Sequence, residues 1–181
     1  MAASERCFVF LRAINTSGRR VTNDELLAPF SALGFDEVTA YQAAGNIALR
    51  TTSLDALHHT QLDPVIADAY GFDAPSFVRS HAQLSSIVDS QPFSPGELDA
   101  TEGRIQVAFL RDAPSDETLD VLADLVPADD RVAVLADTLY WLPAAGISGS
   151  KLPVASIERL LGPMTIRTVG TLERLLAKFA A

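Results

Sequence analysis

The feature that most constrains the fold is an order of predicted elements that occurs twice along the chain. The first half predicts strand, helix, strand, strand, helix, strand, helix, and it begins with a continuous apolar run at residues 7–11, typical of a buried strand. The second half predicts the same order and begins with a strand at residues 105–110. Matching elements lie about 90–98 residues apart. The pattern therefore predicts an internal duplication, although residue identity between the halves is slight.

This order favours one architecture for each half. The order βαββαβ is that of the ferredoxin-like split βαβ arrangement. We expect an α+β fold of two tandem ferredoxin-like units, each followed by an extra helix. Residues 1–91 form the first predicted half and residues 105–181 the second, joined by a Pro-, Gly- and Ser-rich linker at 92–104. One larger α+β sheet shared by both halves is the alternative.

Several helix starts are signalled locally. Thr22 with Glu25 and Ser80 with Gln83 are capping-box patterns, in which each side chain can bond to the other residue's backbone N–H. A further helix is predicted over residues 151–161, entered from a Gly- and Ser-rich loop. The N–H groups of such a helix start attract anions, and a lysine lies beside them, although an ordinary helix cap is the simpler interpretation.

Charge and composition exclude several classes of protein. The chain has 14 basic and 23 acidic residues, a net charge of −9, which argues against a nucleic-acid partner. No segment reaches the roughly 18 apolar residues of a membrane helix, and no basic stretch precedes an apolar core near the start. We therefore expect a cytoplasmic protein with no membrane partner. Twelve of the basic residues are arginine, as in chains from GC-rich bacterial genomes.

The first loop and several later motifs resemble a known family. Residues 11–15, Leu-Arg-Ala-Ile-Asn, are similar to the Leu-Arg-Gly-Ile-Asn opening of the bacterial "domain of unknown function 1697" family. The resemblance continues over nearly the whole chain and implies a duplicated ferredoxin-like protein without an assigned biochemical role. This chain departs from the family pattern at three polar sites, which hold Ala43-Ala44, Ser148-Gly149 and the run 167–171. A family site, if these residues form one, would bind differently here.

Metal and cofactor chemistry finds little support in the sequence. His58 and His59 are adjacent, so on a helix they point about 100° apart and cannot both face one ion. Cys7 lies in an apolar strand and is predicted to be a buried, inert thiol. The pair Asp129-Asp130 is typical of a solvated turn. We expect no metal site and no cofactor, because phosphate-loop and nucleophile motifs are also missing from the sequence.

The remaining candidate is a site for a small anionic or nucleotide-like ligand. The acidic excess lies in residues 51–140, which carry sixteen acids and four bases, whereas residues 1–50 carry five of each and residues 141–181 carry two acids and five bases. Arginine and lysine would neutralise the ligand, and asparagine amides would add hydrogen bonds. The predicted ligand-binding residues are Arg12, Asn15, Arg19, Asn46, Ser150, Lys151 and Arg167.

Two other functions remain open for the same residues. One is an enzyme with an active site around Arg12 and Lys151, and the other is an RNA-binding module. A structural role for Arg12, paired with a buried carboxylate, also competes with ligand binding. The sequence leaves the oligomeric state open.

Overall fold

The computed structural model describes residues 4–15, 20–42, 44–90, 92–101 and 104–181. The chain divides into two compact units. The first unit is Met1–Ser86 together with Leu175–Ala181, and the second is Ile87–Arg174. In the described ranges, no helix is long and apolar enough to cross a lipid bilayer.

The first unit is a four-stranded antiparallel sheet with helices. The elements are β1 (Glu5–Leu11), α1 (Asn23–Ala32), β2 (Asp36–Tyr41), β3 (Asn46–Thr51), α2 (His59–Tyr70), β4 (Ser76–Ser80) and α3 (His81–Asp89), whose residues from Ile87 on belong to the second unit. The strands lie in the order β2-β3-β1-β4, and a short 3₁₀ helix, Asp55–Leu57, precedes α2. The helix α3 begins directly after β4.

The second unit has the same strand order in a second, separate sheet. The elements are α4 (Pro95–Asp99), β5 (Gln106–Phe109), α5 (Asp116–Leu125), β6 (Arg131–Leu135), β7 (Thr138–Leu142), α6 (Gly146–Gly149), α7 (Val154–Leu161), β8 (Thr165–Thr168) and the start of α8 (Val169–Lys178), whose residues from Leu175 on belong to the first unit. The strands lie in the order β6-β7-β5-β8, again with antiparallel neighbours. Two four-stranded sheets confirm the predicted α+β fold of two ferredoxin-like units, and they rule out one shared sheet.

Side chains alternate between the two faces of each sheet and so decide where the core lies. In the first unit, Cys7, Val9 and Leu11 of β1 face α1 and α2 and join one apolar cluster with Leu26 and Ile66. In the second unit the corresponding cluster combines side chains of β5 and β7 with α5 and α7. The apolar faces predicted from sequence are therefore the faces that the helices cover.

Each unit has a similar hydrogen bond at the start of the helix that follows its last strand. The Ser80 hydroxyl accepts from the Gln83 N–H at 3.2 Å, and the Gln83 side chain accepts from the Ser80 N–H at 2.8 Å. At the same place in the second unit, the Thr168 hydroxyl accepts from the Thr171 N–H at 3.2 Å. In each unit the last strand therefore passes directly into a helix that the strand's final hydroxyl caps.

Two local predictions differ from the structure. The helix predicted from residue 151 begins at Val154, because Pro153 disfavours helical geometry at the residue before it. The Gly- and Ser-rich loop before it contains the short helix α6 instead. The segment 92–104 contains α4, whose start carries a capping box between Ser94 and Glu97 that the composition obscured.

The position of Cys7 predicts a thiol that reacts only on unfolding. Cys7 is fully buried, and its burial, together with the charge of Glu5, raises its pKa to about 11. Alkylation requires the thiolate, so at about pH 8 iodoacetamide should modify the native protein about a hundredfold more slowly than the urea-unfolded chain. Mass spectrometry follows the reaction at this single cysteine. A native rate equal to that of the unfolded chain would contradict the burial described here.

Candidate ligand-binding site

The loop after β1 is held at its base by backbone bonds to both neighbouring connections. The Leu11 N–H donates to the Gly45 carbonyl at 2.7 Å, and the Arg12 N–H donates to the Pro75 carbonyl at 2.9 Å. Gly45 has a positive φ of 70°, and a Cβ there would lie 3.0 Å from Cγ1 of Ile14. Only glycine therefore fits both the conformation and the close approach of the loop.

Two non-glycine residues in this loop have left-handed backbone conformations. Ala13 has φ of 60° and Asn15 has φ of 56°. The family that this loop resembles has glycine at the position of Ala13. Glycine adopts the left-handed conformation freely, whereas alanine must place its methyl group there. Asparagine tolerates this region better, and the Asn15 side-chain oxygen accepts from the Val21 N–H at 2.8 Å. The loop thus stores backbone strain beside Arg12.

Arg12 and Asn46 lie at the same end of β1. Arg12 is half-buried directly after the strand, and Asn46 is 1% exposed opposite Phe10 in the neighbouring strand β3. The Asn46 amide donates to the Tyr41 carbonyl at 3.2 Å across the turn between β2 and β3. The amides of Asn15 and Asn46 therefore stabilise the loop and the turn, whereas Arg12 supplies the charge. Arg19, also predicted for this site, lies outside the described residues.

In the second unit, a buried carboxylate holds the loop that contains Ser150. Asp130 is 4% exposed and accepts from the Trp141 indole N–H at 3.0 Å and from the Ala144 N–H at 3.1 Å. The Ser150 hydroxyl also donates to Asp130, and it accepts from the Leu152 N–H at 2.9 Å. Lys151 is exposed next to it. The hydroxyl of Ser150 is thus committed to the protein's own loop.

Hydrogen bonding decides the ionisation of Asp130. Burial opposes the charged form, but the bonds from Ser150, Ala144 and Trp141, with the charge of Arg131, outweigh it. The pKa of Asp130 is therefore below its ordinary value, and the side chain is ionised at neutral pH.

Arg167 lies on β8 with its guanidinium on the sheet face opposite to Ile166 and Thr168. Its Nη1 donates to the Thr165 hydroxyl and to the Ile166 carbonyl, both at 2.8 Å. Thr165 and Arg167 share one face because side chains alternate along a strand. Burial lowers the pKa of Arg167 to about 10, so it stays charged at neutral pH.

The predicted site residues therefore fall into two groups. Arg12, Asn15 and Asn46 belong to the first unit, whereas Ser150 and Arg167 border one cavity in the second. The joint site that sequence reasoning placed between the first loop and Lys151 stays a prediction.

Sequence reasoning missed the role of Asp130. The interpretation of Asp129-Asp130 as a solvated turn holds for Asp129, which is exposed, and is wrong for Asp130. The signal lay in Trp141, because a buried indole N–H requires an acceptor. The acceptor could not be identified from the sequence, since Asp130 and Trp141 meet only through the pairing of β6 with β7.

A sheet of this order, formed twice in one chain, defines the class as a duplicated ferredoxin-like α+β protein. The chain belongs to the family described as "Protein of unknown function (DUF1697)", which matches residues 5–140. A solved structure, "conserved bacterial protein SP0830 from Streptococcus pneumoniae", superposes with a TM-score of 0.72 and 22% identity over 96% of this chain and 97% of that chain. This similarity establishes the fold alone. No curated protein matches the chain.

The strain at Ala13 predicts a stabilising substitution. Ala13→Gly removes the clash of a methyl group with a left-handed backbone and should raise the free energy of unfolding by up to about 1 kcal/mol. The exposed residue Ala123 in α5 is the matched control, because Ala123→Gly should lower stability by about 0.5–1 kcal/mol. Urea unfolding monitored by circular dichroism measures both. Equal destabilisation by the two substitutions would show that position 13 does not need its left-handed conformation.

The bonds to Asp130 predict a strong dependence of stability on this carboxylate. Asp130→Asn removes the charge and replaces one of the two acceptor oxygens with an N–H₂ group, so that either the Ala144 N–H or the pair of donors from Trp141 and Ser150 loses its acceptor. The substitution should cost about 3 kcal/mol of unfolding free energy at neutral pH. Asp129→Asn, at the exposed neighbour, should change stability by less than about 0.5 kcal/mol. Urea unfolding of the two variants and the parent chain gives the comparison.

The pH dependence provides an independent measurement of the same carboxylate. Because the folded pKa is lowered, the stability contributed by Asp130 is complete above its unfolded pKa of about 3.9 and is lost as the pH falls through the folded value. The parent chain should lose more stability between about pH 5 and pH 2 than Asp130→Asn does. Parallel pH profiles for the two would show that Asp130 is not preferentially ionised in the folded state.

Proposed function

We propose that this protein binds a small anionic ligand, such as a phosphate or a nucleotide-like molecule, through the loop that follows β1. The observation that carries the proposal is Arg12, half-buried directly after β1, where the Leu11 and Arg12 N–H groups bond to the carbonyls of Gly45 and Pro75. These bonds fix the backbone from which the Arg12 side chain extends before a ligand arrives. Less ordering entropy then opposes binding.

The charge around the loop supports an anion rather than a cation. The chain as a whole carries −9, yet Arg12, Arg19 and Arg20 lie within nine residues of one another. Arg20 is exposed at the end of the loop. Guanidinium groups present several N–H donors in a plane that matches phosphate and carboxylate oxygens. An arginine-rich loop on an acidic protein offers such oxygens a local partner.

The backbone of the loop gives further support. Left-handed conformations at Ala13 and Asn15 cost free energy, and such costs tend to persist where function requires one loop geometry. Asn15 and Asn46 contribute to the proposed site by holding this geometry, through their bonds to Val21 and Tyr41. In the proposed site, Arg12 makes the charged contact with the ligand, and the amides of Asn15 and Asn46 hold the loop in position.

Arg12→Ala tests the proposal. Inorganic phosphate, pyrophosphate, AMP and citrate, each at about 10 mM and constant ionic strength, would be compared by thermal unfolding. At least one should raise the melting temperature of the parent chain by about 2 °C or more. Arg12→Ala should unfold within about 1 °C of the parent without ligand and should lose that rise.

Arg159→Ala provides the matched control. Arg159 is an exposed arginine on α7 whose bonds stay within its own helix, to Ala155 and Ser156. Its removal should leave the ligand-induced rise unchanged. Loss of the rise in both variants would indicate a general charge effect, and a large loss of stability in ligand-free Arg12→Ala would assign Arg12 a structural role instead. Either result, or no rise with any anion, overturns the proposal.

A further inference from the structure

The second unit contains a cavity of about 490 Å³ at one end of the helix-covered face of its sheet. This volume lies within the range of small-molecule sites, about 300–1,000 Å³. Its lining combines aliphatic side chains, one indole, one amide and three hydroxyl groups. The residues that line it include Gln106, Trp141, Ser150, Leu152, Val154 and Thr168.

The floor of the cavity is a row of three side chains across the sheet. Gln106 on the central strand β5 lies opposite Trp141 on one side and Thr168 on the other. Gln106 is 3% exposed, and its amide nitrogen donates to the Arg104 carbonyl at 2.7 Å. Within the described part of the chain, this is the side chain's one hydrogen bond. One N–H and the amide oxygen thus remain available at the floor of the cavity.

The first unit shows that the fold does not require a polar residue at this place. Its central strand β1 has Cys7 at the corresponding position, opposite Leu49 and Ser80. Cys7 and Leu49 are fully buried in the apolar cluster of that unit. At the same place in the second unit, the Gln106 amide bonds to the Arg104 carbonyl and borders the cavity. Packing of the sheet therefore does not by itself explain an amide at this position.

The opposite wall of the cavity is fixed before any ligand binds. Asp130 holds both the Trp141 indole and the Ser150 hydroxyl, so one carboxylate joins the floor to the wall. Ile147 on α6 is 54% exposed at the cavity, an apolar side chain that a bound molecule would cover. A site with a rigid frame and an uncovered apolar edge suits a ligand with a large apolar part.

The ligand should be uncharged. Arg167 is the one charged residue in the lining, and its guanidinium bonds to Thr165 on the opposite face of the strand. The other lining side chains carry no charge, so an ionised ligand would lose its hydration without gaining an ionic partner.

We propose that this cavity binds a neutral, mostly apolar molecule with an amide or lactam edge. The ligand N–H would donate to the Gln106 side-chain oxygen, and the ligand carbonyl would accept from the Gln106 amide N–H. The apolar part would lie against Trp141, Leu152 and Val154. This site lies within the second unit and does not depend on anion binding at Arg12.

Three matched probes test the chemistry: 2-quinolinone, N-methyl-2-quinolinone and quinoline-2-carboxylate. The first has a lactam N–H and carbonyl, the second lacks the N–H, and the third replaces the lactam with a charge. Trp141 is the chain's single tryptophan, so its indole N–H gives one signal in a ¹⁵N–¹H NMR spectrum of the full chain. Titration of that signal should show 2-quinolinone binding about tenfold more tightly than either of the other probes.

Substitution of Gln106 separates its hydrogen bonds from the cavity itself. Gln106→Leu replaces the amide with an apolar side chain of similar size. It should reduce the preference for 2-quinolinone over its N-methyl analogue from about tenfold to about onefold. Gln61→Leu, at an exposed glutamine of α2, is the matched control and should keep the preference. Val154→Phe places a ring in the cavity and should abolish binding of all three probes.

Several results would overturn the proposal. They are no change in the indole signal with any probe at about 5 mM, tighter binding of the carboxylate than of the lactam, and an unchanged preference in Gln106→Leu. The melting temperature of each variant shows whether it is folded. If Gln106→Leu unfolds, Thr171→Ser replaces it as a milder change in the lining of the cavity. In that case unchanged binding of 2-quinolinone by both Thr171→Ser and Val154→Phe would place the probe elsewhere and overturn the assignment.

Discussion

The central strand of each sheet is the element on which the rest of the unit depends. β1 pairs with β3 and β4 along both edges, and no residue from Cys7 to Leu11 is more than 1% exposed. Burial of its apolar side chains is favourable because both rows of backbone groups are hydrogen-bonded. The same pairing continues to the Leu11 and Arg12 N–H groups. The placement of Arg12 thus follows from the strand that precedes it.

The duplication provides a comparison within one molecule. Both units have the same strand order, and both use a hydroxyl at the end of the last strand to begin a helix. Where the two differ, the difference cannot come from the fold. Cys7 fills its position with an apolar contact, whereas Gln106 brings an amide to a cavity at the equivalent position. One architecture can therefore carry an apolar contact or a polar group at the same position.

Sequence reasoning was strongest where the signals are local. The capping boxes at Thr22 and Ser80 form as predicted. It was weaker where composition obscured local structure, as in the segment that contains α4. The helix α7 begins three residues after its predicted start, because Pro153 disfavours helical geometry at the residue before it. Both differences concern short helices or helix ends, where a single residue changes which backbone conformations are available.

The sequence by itself determined the order of elements, the faces that are buried and the duplication, because hydrophobic periodicity and caps act between residues close in the chain. Tertiary structure alone decided which polar groups meet. Asp130 could be recognised as a buried acceptor only after strand pairing brought Trp141 and the Ser150 loop to it. The cavity beside Gln106 likewise depends on the register of three strands. Such contacts join distant parts of the chain, and no local pattern encodes their geometry.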